Sequence, residues 1–384
     1  MKLIIVGGGI LGTSHALAAI ERGHEVVLIE REREARGATV RNFGLVWVSG
    51  RSSGELAAAQ RSRDLWEKIG TDVPGIGFRP CGSITLVRTE AELAVAEETV
   101  AQTDSTEREF TLLDPAAVRA LNPALRGTYV AGLHCGRDGA VESRVALPAL
   151  RAFLAATGRF EFVGGREVRA VDSTSGSVRV TDDRGVVHHG DQAIVCPGAA
   201  HAGLLRELVG AEPPVRRVRL QMMQTAPLDE KLTTAIADGD SFRYYPAFAG
   251  NALDHLGAVQ PQTPVAATHH MQLLCVQRLD GGLTIGDTHV YDRTVDGDDA
   301  DVFGFDVTED PYQHLIGVVE NLLGRSLPPI ARRWAGVYSQ CLDSSHLVYR
   351  EQVAPGVWAV TGPGGRGMTL GPAIGEQTAD LLNL

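Results

Sequence analysis

The chain has 384 residues, 44% of them hydrophobic, and carries 36 Lys and Arg against 47 Asp and Glu for a net charge of −11. That length exceeds one ordinary core and predicts two interlocked domains, while the acidic balance excludes a surface built to track nucleic-acid phosphates. The five scattered cysteines, Cys81, Cys135, Cys196, Cys275 and Cys341, include no CxxC pair, which predicts reduced thiols, no disulfide, no metal framework and a cytoplasmic location.

Lys2 to Val6 is apolar for only the length of a strand before Gly7-Gly8-Gly9, and His15, Glu21 and Arg22 follow where a signal peptide would stay apolar. No segment approaches the roughly 18 consecutive apolar residues of a membrane span. The opening reads instead as a strand (Lys2 to Val6), an alanine-rich helix (Leu11 to Arg22) and a second strand (His24 to Glu30). Helices are predicted at Gly54 to Ile69, Glu90 to Gln102 and Val145 to Ala156, with a strand at Gly82 to Arg88. Strands follow near Phe160 to Val163, Glu167 to Ser173, Ser177 to Asp182 and Gln192 to Cys196. From Val215 to Val290 strands are expected to dominate, notably Arg216 to Thr225, Met271 to Arg278 and Leu283 to Asp287. Asp292 to Asp310 reads as a solvated loop whose spacing misses the calcium-loop pattern. The strand Val357 to Thr361 leads into a glycine-rich stretch and a last helix ending near Leu382.

Gly7, Gly9 and Gly12 form GxGxxG between the first strand and helix. The first glycine permits the tight turn, the second lets backbone approach a pyrophosphate, and the third lets helix and strand pack closely. The helix start, with Ile10 and Leu11, supplies unpaired amides and a positive dipole end for the diphosphate. Glu30 lies 18 residues beyond Gly12, where its carboxylate can accept the ribose hydroxyls; this disfavours a 2′-phosphate, although Arg31 and Arg33 leave NADP formally open. FAD is longer than NAD in its second half and needs further segments to hold its ring. Two qualify: Arg36 to Gly44, and Gly362 to Pro372 before the last helix.

The stretches GGGILGTSHALAAIERGHEVVLIER, GATVRNFG, DGAVESRVALPALRAFL and TGPGGRGMTLGPAIGE, in that order, resemble the D-amino-acid-oxidase-type FAD oxidoreductases, which include glycine oxidase and sarcosine oxidase. The resemblance spans nearly the whole chain. It implies an α/β fold: a Rossmann-type FAD-binding domain (1–80, 138–214 and 325–384) with an inserted α+β substrate domain (81–137 and 215–324) that carries a mixed sheet. It implies FAD contacts from the fingerprint, Glu30 and Arg31, from Ala38, Thr39, Arg41, Asn42 and Gly44, from Val168, Pro197 and Gly198, and from Gly364, Gly365, Arg366, Gly367, Met368 and Thr369. RNFGLVW and GDTHVYD further resemble a phosphonate-breakdown branch, which implies an N-methylated aminophosphonate substrate.

Three positions depart from the family pattern. Gly336 stands where sarcosine-oxidase relatives carry a flavin-linking cysteine, so FAD is expected to be non-covalent. Thr284 replaces the lysine that faces oxygen, leaving oxygen or another electron acceptor open, and Thr369 replaces a lysine that clamps the substrate carboxylate. The resemblance puts Tyr338 and His289 beside the substrate, and an anionic substrate would need guanidinium forks, for which Arg41, Arg51, Arg278 and Arg366 are the sources. The adjacent pairs His188-His189 and His269-His270 point to opposite faces if in strands and predict no metal site. The expectation is therefore oxidation of the C–N bond of a small amine to an imine that water hydrolyses. Sarcosine, glycine or D-amino acids are alternative substrates, and an NAD-dependent dehydrogenase or a non-catalytic flavin-binding subunit are rival roles. Homo-oligomerisation stays open.

Overall fold

A computed structural model describes residues 1–174 and 176–384. It opens with strand Lys2–Val6, helix Ile10–Glu21 and strand Glu25–Glu30. Leu3, Ile4 and Ile5 are fully buried, which suits a parallel strand covered on both faces. It pairs in parallel with Gln192–Val195 on one side and Glu25–Glu30 on the other. The six-stranded sheet continues to Phe160–Gly164 at one edge and through Val357–Thr361 to Tyr349–Ala354 at the other, all parallel except this last pair. An added Cβ on Gly12 would lie 1.9 Å from the Gly7 carbonyl oxygen, so the first strand and helix can meet only without a side chain there.

A nine-stranded mixed sheet forms the second layer. In spatial order it runs Val290–Tyr291, Val215–Pro227, Gly282–Gly286, Leu274–Gln277, Ala235–Asp238, Ser83–Val87, Ala131–Cys135 and Phe110–Leu113, with Ile330–Cys341 also paired to Val215–Pro227. Of these strands only Ala235–Asp238 and Ser83–Val87 pair in parallel. Within residues 325–384, which the resemblance assigns to the FAD-binding domain, Ile330–Cys341 is laddered along its length to Val215–Pro227, with Val218 opposite Tyr338. That strand therefore belongs by hydrogen bonding to the larger sheet and carries Gly336 and Tyr338 with it.

Helix Ser53–Asp72 starts at a Ser52/Glu55 capping box and packs against the last helix. Its Trp66 is fully buried and donates its indole N–H to the Met368 carbonyl (2.7 Å), against the last helix Gly367–Leu381. The expectation of a strand-dominated Val215–Val290 stretch is corrected: helices Ser241–Tyr244, Asn251–Val259 and Pro264–Thr268 interrupt it. Thr263 caps the last of these through Ala266 N–H, and Pro264 takes the first helical position, where its missing N–H costs nothing. Helix Asp310–Leu323 is a further addition to the expected elements, although Leu315, Val318, Val319 and Leu322 give it a buried stripe of helical period. No helix among the described residues is long and apolar enough to cross a membrane.

One buried histidine makes the fold sensitive to acid. His15 donates Nδ1–H to the Leu11 carbonyl (2.7 Å), and its Nε2 faces Thr378 Oγ1 (2.9 Å). Burial lowers its pKa to about 4, the Leu11 hydrogen bond offsetting only part of this. Folded protein thus keeps the ring neutral while unfolded chain takes up a proton below the ordinary 6.5. The stability this contributes is complete above that value and is lost as pH falls toward 4, about 2 kcal/mol being gone by pH 5. Denaturant titrations from pH 7 to 5 should show this slope in the wild type and a slope smaller by about that amount in His15→Gln; equal slopes would remove His15 from the account.

Candidate functional site

A cleft of about 1530 Å³ runs along the ends of the parallel strands and under the larger sheet. Small-ligand pockets usually occupy about 300–1,000 Å³, so there is room for an extended dinucleotide with a small molecule beside it. At one end it is walled by Gly7, Gly9, Ile10, Leu11 and Gly12. Gly9 begins the helix with no side-chain cap, and of the first amides only that of Ile10 has an acceptor among the described residues, Thr39 Oγ1 at 3.0 Å. A Cβ on Gly9 would meet nothing nearer than Thr39 Oγ1 at 3.3 Å. These features fit a pyrophosphate lying against the helix start.

Glu30, buried at the end of its strand, accepts Gly8 N–H through Oε2 (2.6 Å) and Glu32 N–H through Oε1 (3.0 Å). The carboxylate is thereby locked toward the cleft, with lone pairs left over for ribose hydroxyls. Arg31, Val168, Pro197 and Gly198 line the same end. The middle is walled by Ala38, Thr39, Arg41 and Asn42 on one side and by Gly364, Gly365, Arg366, Gly367, Met368 and Thr369 on the other. Asn42 shapes its own loop, donating to the Ala38 and Thr39 carbonyls and accepting Gly44 N–H (2.6 Å).

Gly44 is the one expected cofactor residue that does not reach the cleft wall. It adopts φ +77° with its α-carbon against the Val141 carbonyl, where a Cβ would come within 2.0 Å, so its role is the turn. Thr369 points inward as well: its hydroxyl accepts Trp47 N–H (2.9 Å) and fastens the loop to the last helix.

The four arginines separate sharply. Arg366 is spent within the protein, pairing with Glu55 and donating to the carbonyls of Pro363 (2.8 Å) and His346 (3.2 Å). Arg278 is buried behind the cleft, where it pairs with Glu142 (3.2 Å) and donates to Thr284 Oγ1 (2.7 Å) and the Asn42 carbonyl (2.6 Å). Arg41 donates to the carbonyls of Arg36 and Ala335. The guanidinium groups of these three already have acceptors within the protein.

Arg51 differs. It is 5% exposed, lies on the cleft wall, and its guanidinium makes no hydrogen bond to any described residue. Its Cζ stacks 5.4 Å from the Tyr245 ring centroid, and its Nε is sealed from solvent without a partner. Burial lowers its pKa, partly offset by the charge of Glu55. A buried, unpaired cation facing a cleft is costly unless an anion completes it.

The same cleft wall carries Tyr244, Tyr245, Gln272, Asp287, His289, Tyr291 and Tyr338. Tyr338 and Tyr244 bring their hydroxyls within 3.4 Å, and Tyr244 stacks on His289 with ring centroids 4.4 Å apart. His289 donates Nδ1–H to the His270 carbonyl (2.9 Å), which aims Nε2 toward Asp287 Oδ1 at 3.9 Å. Burial pushes the Tyr338 and Tyr244 hydroxyls well above the ordinary range, so both are neutral donors at neutral pH. Sequence reasoning did not single out Tyr244, Tyr245, Gln272, Asp287 or Tyr291 as site residues. The advance signals were the Tyr244-Tyr245 pair before Pro246 and the GDTHVYD stretch, which contains Asp287 and Tyr291.

Known proteins share this fold. Among curated proteins, one of the subunits of the opine oxidase of Rhizobium meliloti is 27% identical over 252 residues, 62% of this chain. The match spans 65% of the length of that relative. Glycine oxidase from Bacillus cereus ATCC 14579 superposes with a TM-score of 0.76 at 18% identity, covering 100% of this chain and 94% of the other. L-proline dehydrogenase from P. horikoshii superposes with a TM-score of 0.78 at 19% identity, covering 99% and 92%. At those identities the superpositions speak for the fold. The family profile described as FAD dependent oxidoreductase matches residues 2–381, and the chain belongs to this DAO family.

Proposed function

We propose that this protein oxidises the C–N bond of a small amine that also carries an anion, with FAD bound non-covalently along the cleft. FAD supplies the acceptor for the hydride equivalent leaving the carbon beside nitrogen, and water hydrolyses the resulting imine. The observation that carries the reading is Arg51, a buried guanidinium on the cleft wall with no hydrogen-bond partner among the described residues. Its fork binds two oxygens of a carboxylate or phosphonate and so fixes which C–H bond faces the ring. Tyr338 and Tyr244 donate neutral hydroxyls nearby, and Tyr245 packs under the guanidinium. The glycine-rich segments at Gly7–Gly12 and Gly364–Thr369 would hold the cofactor's pyrophosphate and ring. We assign the six-stranded sheet with its helices to FAD binding and the nine-stranded sheet to the substrate.

Non-covalent attachment is supported by Gly336 on the cleft wall and by Cys341, whose thiol burial pushes up to about 11. An aminophosphonate stays within the reading, but a clamp of several arginines does not, since Arg366 and Arg41 are engaged elsewhere. The names of the similar proteins, glycine oxidase and L-proline dehydrogenase among them, are consistent with an amino-acid-like substrate. The test is anaerobic flavin reduction by a panel of glycine, sarcosine, L-proline, iminodiacetate and N-methyl-2-aminoethylphosphonate beside uncharged amines of equal size. At least one anionic amine is expected to bleach the flavin faster than its uncharged counterpart. Bleaching only by uncharged amines would overturn the assignment.

A second reading is a flavin-binding component of a larger complex. It is favoured by the almost fully exposed Val302 and Phe305 in the loop whose Phe303 reaches the cleft, and by the name of the curated relative, itself one component of an opine oxidase. A flavin that no amine reduces, in a protein that gains activity only with a second chain, would favour it.

A further inference from the structure

The far end of the cleft holds a second buried charge, of opposite sign. Asp287 is 4% exposed and lines the cleft, yet its carboxylate receives a single long hydrogen bond, from Gln272 Nε2 to Oδ1 at 3.4 Å. The ring nitrogen His289 Nε2 is 3.9 Å away, and Oδ2 accepts nothing from the described residues. Another buried aspartate of this chain shows what satisfaction looks like. Asp138 accepts four hydrogen bonds of 2.6–2.9 Å, from Val48 N–H, Ser49 N–H and the hydroxyls of Ser49 and Ser83. Asp287 has been left short of partners on the side that faces the cleft, as Arg51 has.

The two charges are linked but do not neutralise each other. Arg51 lies over the Tyr245 ring, the Tyr245 hydroxyl accepts from Gln272 Nε2 (3.3 Å), and the same Nε2 reaches Asp287. One phenol and one amide thus separate guanidinium from carboxylate and leave an open face on each. A small zwitterion, anion at one end and ammonium at the other, complements this pair.

Resting on the anionic-amine reading above, we propose that Asp287 is the residue that recognises the substrate's ammonium group and accepts its proton. The ammonium N–H bond breaks, an O–H bond forms on Asp287 Oδ2, and the electron pair left on nitrogen is the one that C–N oxidation requires. No redox change occurs in this step. Burial raises the Asp287 pKa, with His289 opposing, which narrows the gap to an ammonium and eases the transfer. The other titratable groups facing Asp287 are Tyr244, Tyr245, Tyr291 and Tyr338, all raised by burial and uncharged at neutral pH, and Arg51, which stays cationic.

The experiment compares two non-oxidisable acids by calorimetry on the FAD-loaded protein. 2-Aminoisobutyrate and pivalate share shape and carboxylate, but only the first carries an ammonium, and neither has hydrogen on the carbon that would be oxidised. Wild type is expected to bind 2-aminoisobutyrate more tightly than pivalate. In Asp287→Asn the affinity for 2-aminoisobutyrate should fall roughly 10- to 150-fold while that for pivalate stays within about 2-fold, the size of one lost charged hydrogen bond. Wild-type affinity for 2-aminoisobutyrate should also weaken as pH falls and Asp287 takes up a proton, a dependence the variant lacks. Equal loss for both acids, or no loss for either, would overturn the role of Asp287 while leaving Arg51 intact. If wild type bound neither acid, the anionic-amine reading would fall and Asp287 with it.

Discussion

Purified Gly9→Val is expected to fold and to emerge colourless. Its Cβ has space, since only Thr39 Oγ1 comes within 3.3 Å, and the helix it caps uses ordinary extended backbone at this position. What the valine fills is the volume in front of the Leu11 and Gly12 amides, where a pyrophosphate must approach within hydrogen-bond distance. Affinity for FAD should drop by more than about 100-fold, at least about 2.7 kcal/mol. Gly12→Ala makes the informative contrast, because its Cβ would lie 1.9 Å from the Gly7 carbonyl and damage the strand–helix junction itself. The measurements are the flavin-to-protein absorbance ratio, the circular dichroism of each variant and the melting temperature. Gly9→Val with full flavin occupancy would show that the diphosphate is bound elsewhere. In the wild type, acid precipitation should release all of the yellow colour into the supernatant, as Gly336 implies.

Replacing Arg51 by Met should divide function from stability. A buried cation without a partner costs the ligand-free fold, and a methionine of similar length removes that cost while keeping contact with Tyr245. The melting temperature of Arg51→Met should therefore equal or exceed that of wild type. The rate constant kcat/KM for whichever anionic amine reduces the flavin should fall at least roughly 10- to 150-fold, the loss of about 1.5–3 kcal/mol of charged hydrogen bonding. Uncharged amines should lose little. A variant that melted several degrees lower, or lost activity equally toward charged and uncharged amines, would make Arg51 a structural residue. Arg366→Met is the matched control: its guanidinium holds Glu55 and two carbonyls, so it should lose stability instead.

The nucleotide end of the cleft was legible in the sequence because its determinants are local. A tight turn, a helix start and a carboxylate at a strand end require particular residue types at short spacing, and Gly7, Gly9, Gly12 and Glu30 lie within one strand–helix–strand unit. Their order in the chain is their order in space. Elements with a strong period were legible for the same reason, such as the strand Ser177–Asp182 and the helix Ser143–Ala155.

The substrate end was decided by tertiary structure. Arg51, Tyr245, Gln272, Asp287 and Tyr338 come from five separate stretches, only the last of them in a strand, and the packing of loops against the sheets gathers them. Sequence offered Arg41, Arg51, Arg278 and Arg366 as anion donors and favoured Arg366 for its place in the glycine-rich motif, but a guanidinium's availability depends on what already accepts its hydrogen bonds. Folding gave Arg366 to Glu55, Arg278 to Glu142 and Arg41 to two carbonyls, and left Arg51 without an acceptor among the described residues. The same sorting distinguished Asp138, fully satisfied, from Asp287, open to the cleft. Residue type determines which charges a chain owns, and long-range packing determines which of them remain unpaired and free to meet a ligand.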